Sequence, residues 1–132
     1  MEITCRKQDQ KKFEDLGFTA QDWDSLPPDS ALVVMVDEEA NYAHCGELPS
    51  DIPYRGINGA GGEYGHGAFA CDGRRFAELE IGHDGGFVIE WDESTRRPLA
   101  QSLKSIRRYL AVRKNVQAMF PALSKPENQL VT

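Results

Sequence analysis

Six consecutive apolar residues, Ala31-Leu-Val-Val-Met-Val36, constrain this chain more than any other feature of it. The run is rich in β-branched side chains, follows Pro27-Pro28 and Ser30, and stops at Asp37. A segment so short and so apolar on both sides predicts a central strand covered on both faces. It is the longest apolar stretch in the chain, far short of the ~20 residues a membrane helix requires. The remaining sequence must therefore supply partner strands and covering layers.

Partner strands are clearest after Gly67. Gly67 to Cys71, the Asp72-Gly73 turn and Arg74 to Ile81 read as a hairpin, with Ala77, Leu79 and Ile81 alternating against Glu78 and Glu80. After His83-Asp84-Gly85-Gly86, the residues Phe87, Ile89 and Trp91 continue the alternation and predict a third, core-facing strand. Asn41 to Cys45 is a candidate returning strand.

Helices are expected at three places. Lys7 to Leu16 has Phe13 and Leu16 at i,i+3 spacing, Gly17 as its stop and Phe18 as the contact that follows. Thr19-Ala-Gln-Asp22 has the pattern of a capping box opening a short turn that carries Trp23 before Pro27-Pro28. The long one starts near Pro98, capped by Ser94 or Thr95. It carries Leu99, Leu103, Ile106 and Leu110 as an apolar stripe, and it ends near Lys114. Val116 to Phe120 then returns Met119 and Phe120 to the core. These elements define an α+β class. A mainly antiparallel sheet of four or five strands carries the C-terminal helix on one face and a short N-terminal helix besides. At 132 residues there is one domain, 1–121, with 122–132 a loose tail.

Charge is divided along the chain. Residues 1–51 carry 12 acids and 4 bases, residues 52–95 carry 8 and 3, and residues 96–132 carry 1 and 8. An acidic body of net −13 is thus followed by a basic segment of net +7. Seven bases between Arg96 and Lys114 could meet phosphates. The simpler expectation is a helix face that complements its own acidic sheet.

The span Gly46 to Gly67 holds seven glycines with Pro49 and Pro53, and predicts a long irregular loop. Its core, GINGAGGEYGHG, is no dinucleotide fingerprint, since Gly59 and Gly61 would need a third glycine at Tyr64 and a helix after it. It holds no phosphate-binding Gly-Lys-Ser/Thr either. Cys45 in an acidic strand is poorly placed as a thiolate nucleophile, and Glu63 with His66 lacks a third partner for acid–base work. His44, Cys45, His66, Cys71 and His83 show neither Cys-x-x-Cys nor His-x-x-x-His spacing, so no metal and no cofactor is expected.

Three cysteines cannot all pair within the chain, and the charged start, MEITCRKQDQKKFEDLGF, lacks the apolar run of a signal peptide, so a reduced cytoplasmic setting is expected. The meander-then-helix order with an acidic surface is similar in layout to small bacterial immunity and inhibitor proteins, a likeness of shape alone, and it is the lack of an assembled catalytic set and the acidity of the chain from Phe13 to Thr95 that favour a binding role. The expected function is a protein-binding module or inhibitor. It would meet a basic partner through Asp37, Glu38 and Glu39 and through Glu63, Tyr64 and His66 of the glycine loop. The alternatives are a small enzyme or ligand-binding domain with a pocket under Gly46–Gly67, and an oligomeric nucleic-acid accessory protein using the basic helix. No membrane partner is expected.

Overall fold

The computed structural model describes residues 1–21, 30–37, 48–58, 66–82 and 86–120. The architecture is α+β. A six-stranded antiparallel sheet comprises β1 (Glu2–Arg6), β2 (Thr19–Gln21), β3 (Leu32–Val36), β4 (Pro53–Asn58), β5 (His66–Asp72) and β6 (Phe76–Ile81), in the order β2-β3-β1-β4-β5-β6. A two-stranded ribbon, β7 (Trp91–Asp92) with β8 (Arg97–Pro98), leads into the long helix α2 (Ala100–Met119). The short helix α1 (Gln10–Glu14) follows one 3-10 turn, Lys7–Asp9.

Strand β3 is the buried central strand expected of its apolar run, flanked by β1 and β2. The first strand was not foreseen. Ile3 and Cys5 are fully buried while Glu2, Thr4 and Arg6 alternate with them, and β1 pairs with both β3 and β4. Helix α1 ends at Glu14 and the turn after it reaches Gly17, whose φ of +102° suits a residue without Cβ, while the Phe18 N–H bonds to the Phe13 carbonyl.

Four expectations need correction. Thr19–Gln21 is a strand rather than a helical cap, because extended it completes the ladder on β3; Trp23 lies outside the described residues. The glycine-rich span is not one loop, since Pro53–Asn58 forms β4 between β1 and β5. Gly56 reads as a loop residue but is required by packing. A Cβ there would strike the Phe69 ring and come within 2.5 Å of the Glu2 carbonyl oxygen. The third meander strand does not form in the sheet. Only Phe87 bridges to Ile81, and Phe87, Ile89 and Trp91 are exposed rather than in the core. Finally, Pro98 belongs to β8, Leu99 caps α2, and Ser94 and Thr95 sit in the β7–β8 turn. Helix α2 runs five residues past Lys114, so its buried stripe is Tyr109, Val112 and Val116, with Ile106 and Leu110 half-buried beside it. The proposed strand Asn41–Cys45 and the tail 122–132 lie outside the described residues.

Strand alternation sends side chains to two cores. One face holds Ile3, Cys5, Val33, Met35, Tyr54, Phe69 and Cys71 under Phe13 and Phe18 of the α1 segment. Aromatic edges run through it, Phe13 to Phe18 at 5.9 Å, Phe13 to Tyr54 at 5.4 Å and Tyr54 to Phe69 at 6.2 Å. The other face holds Leu32, Ala68, Ala70, Ala77 and Leu79 under α2. Small alanines on β5 and β6 let the helix approach closely enough to bury Tyr109 and Val112 against them.

Candidate functional site

Little of the expected acidic and glycine-loop site falls on described residues. Glu38, Glu39, Glu63 and Tyr64 lie outside them, as do His44, Cys45 and His83. The backbone of His66 opens β5 opposite Ile81. Asp37 is half-buried at the end of β3, and its backbone is tied to Met1 in both directions, at 2.9 and 2.8 Å.

The thiols are packing groups. Burial pushes the Cys5 thiol up to about 12, with the Asp9 carboxylate adding to it and Arg6 opposing. Burial likewise raises Cys71, against hydrogen bonds from the Gly73 backbone and the Tyr54 hydroxyl. Both are free cysteines and stay protonated near neutral pH.

Asp72 is a structural clasp. The β5–β6 turn places Gly73 at φ +90°, which brings the N–H groups of Arg74 and Arg75 onto Asp72 Oδ1 at 2.9 and 2.8 Å. Oδ2 accepts from Asn115 of α2 at 2.9 Å, with Arg75 Nε at 3.8 Å. Burial alone would raise this carboxyl. The bonds from Asn115, Arg75 and Arg74 and the Arg75 charge outweigh it and hold the pKa below the ordinary carboxylate value. The clasp fixes α2 to the hairpin tip.

That clasp orients the outer face of α2, which carries bases and no acid. The helix holds Lys104, Arg107, Arg108, Arg113 and Lys114 and no acid. Lys104, Arg107, Arg108 and Lys114 are exposed. Arg113 lies over the Tyr109 ring at 5.6 Å, and Arg108 Nη2 donates to the Phe76 carbonyl at 3.1 Å. The ion pairs among the described residues are Arg6–Asp9, Lys12–Asp51 and Arg75–Asp72, none of them on α2. The expected complement between helix and sheet is not seen there, for a geometric reason. Ala77 and Leu79 face α2, so their neighbours Glu78 and Glu80 point from the opposite face.

Segment 86–92 runs beside the same helix. Leu99 N–H bonds to the Glu90 carbonyl at 2.8 Å, Glu90 N–H to Ser102 Oγ at 3.1 Å, and the Phe87 ring meets Tyr109 edge-on at 6.3 Å. This leaves three large apolar side chains in the open, with Phe87 38%, Ile89 37% and Trp91 58% exposed. The segment also covers the outer edge of β6, where Val88 N–H takes the Glu80 carbonyl while Arg108 takes that of Phe76. With both carbonyls occupied and Glu78 charged between them, that edge is a poor template for another strand.

Among the described residues no group of three potential metal ligands occurs, and no helix is long and apolar enough to cross a membrane. No protein-family model, curated protein or solved structure matches this chain.

Proposed function

We propose that this chain is a binding module whose working surface is the outer face of α2, and that its partner is a polyanion. The observation that carries the reading is the set of exposed bases on α2, which make no ion pair with any described acid and from which Glu78 and Glu80 of β6 face away. Clustered like charges repel one another, and an array of external negative charge relieves that repulsion. The net charge of −6 opposes such a partner at long range, but with a Debye length of ~10 Å at 0.1 M salt the near surface dominates.

Retention on immobilised heparin tests this directly, because an acidic protein of pI about 5.0 should otherwise pass through at neutral pH. The expected result is retention at low salt, lost in Lys104→Gln/Arg107→Gln/Lys114→Gln. Wild-type flow-through at low salt overturns the reading. The acidic-surface alternative predicts a basic partner, and Asp37→Asn/Glu38→Gln/Glu39→Gln is the matching control, which should leave heparin retention intact or strengthen it.

A further inference from the structure

The bases of α2 stand in two rows about a crest of small side chains. Val112, Val116 and Tyr109 are buried against the sheet, while Ala100, Ala111 and Ala118 are exposed on the side of the helix turned away from it. A helix of 3.6 residues per turn advances roughly 100° at each residue. Counted about the axis from Ala111, Lys104 lies roughly 20° and Arg108 roughly 60° to one side. Arg107 and Lys114 lie roughly 40° and 60° to the other. Lys104, Arg107 and Lys114 are exposed, whereas Arg108 is partly committed, since its Nη2 donates to the Phe76 carbonyl at 3.1 Å. Segment 86–92 is held at Ser102 and Tyr109, on the sheet side of the helix, and does not reach the crest.

Cations on both sides of a low crest match two walls of negative charge with a depression between them. We infer that the polyanion is duplex nucleic acid, whose major groove receives the crest while Lys104 meets phosphates on one wall and Arg107 and Lys114 those on the other. The inference rests on the polyanion-binding reading of α2. The groove is ~12 Å wide and ~8.5 Å deep and admits one helix, and alanines at the crest let the backbone approach its floor. Along the axis Lys104 and Lys114 are about 15 Å apart, so the two rows can meet both strands within one crossing. A single polyanionic chain fits less well, because it can follow one row only and has no use for a low crest. An acidic helix of a protein partner also fits less well, because three alanine methyl groups offer it little apolar area to bury. An anionic membrane is disfavoured because the apolar stripe of α2 is buried on the sheet and cannot enter lipid.

The test is fluorescence anisotropy at low salt with labelled duplexes of mixed sequence, single strands of equal length, poly-glutamate and anionic phospholipid vesicles, alongside heparin retention. Duplex should bind about ten-fold or more tighter than single strand. Ala111→Leu changes no charge, keeps a good helix former at an exposed position and raises the crest. It should lose about five-fold or more in duplex affinity, with single-strand affinity and heparin retention unchanged. A wild-type thermal melt for this variant separates lost binding from lost folding. Lys104→Gln and Lys114→Gln, one from each row, should each reduce the duplex salt slope by about 0.9, and together by about 1.8. Equal affinity for duplex and single strand, wild-type duplex affinity in Ala111→Leu, or a salt slope moved by only one of the two lysines overturns the inference. So does binding to poly-glutamate or to vesicles without binding to duplex. Each of these leaves heparin retention standing, whereas wild-type flow-through on heparin removes the underlying reading as well.

Discussion

Residues 76–81 and 87–91 each place apolar side chains at every second position, yet one segment is interior and the other is not. In β6, Ala77 and Leu79 find α2 above them and β5 beside them. Phe87, Ile89 and Trp91 lie past the sheet edge, where the Phe87 ring meets Tyr109 edge-on and all three side chains stay exposed. Alternation sets which side chains share a side. A covering layer decides whether that side is core, and α2 is wide enough to cover β5 and β6 but not the segment beyond. What remains exposed there are the side chains of Phe87, Ile89 and Trp91.

The sharpest way to break this comparison is to truncate the interior member. Leu79→Ala should cost about 2–4 kcal/mol, as buried large-to-small changes do, read as a lower urea midpoint at unchanged slope. A near-wild-type midpoint would mean that α2 does not pack on β6 as described.

The clasp that holds α2 over β6 comes next in size. Asp72→Asn retains an acceptor for the turn but sets an amide donor against Asn115, so a loss of about 1–3 kcal/mol is expected at neutral pH. The folded carboxyl has a depressed pKa, so its contribution is complete above the unfolded value near ~3.9 and fades as pH falls through the folded one. The gap between wild type and variant should therefore narrow in acid. A constant gap from neutral pH to below that range would show that the charge of Asp72 is not what ties the helix.

The legible parts of the fold were those with local signals. The apolar run of β3, the Asp-Gly hairpin and the Gly17 stop each carry their own cause in a few residues. The missed strands owe their form to partners distant in sequence. Thr19–Gln21 has little apolar character and is extended because β3 offers a ladder. Gly56 resembles a loop residue, but its missing Cβ is the space that Phe69 fills from β5. Of these strands only β1 carries a local signal, Ile3 and Cys5 alternating with charged and polar neighbours, and that pattern is too short to stand out without β3 and β4 beside it. At the site, the bases of α2 were plain in the sequence. That they lack sheet carboxylates as partners depends on which way Glu78 and Glu80 point relative to the helix, and no composition carries that.

The smallest expected effect is the one that decides how the outer segment should be understood. As a third sheet strand with a buried face, Ile89→Ala would cost as much as Leu79→Ala. With 37% of Ile89 exposed and no second layer over it among the described residues, the loss should be under about 1 kcal/mol, within the ordinary range for surface changes. Backbone bonds from Leu99 to Glu90 and from Glu90 to Ser102 do not involve this side chain, so the segment should keep its place beside α2 in the variant. Paired urea titrations of Ile89→Ala and Leu79→Ala check it. A loss of 2 kcal/mol or more at Ile89 would mean that a layer covers Phe87, Ile89 and Trp91 in solution, closing the flank of α2 to any ligand. A small loss there, beside a large one at Leu79, places the segment outside the core that α2 closes.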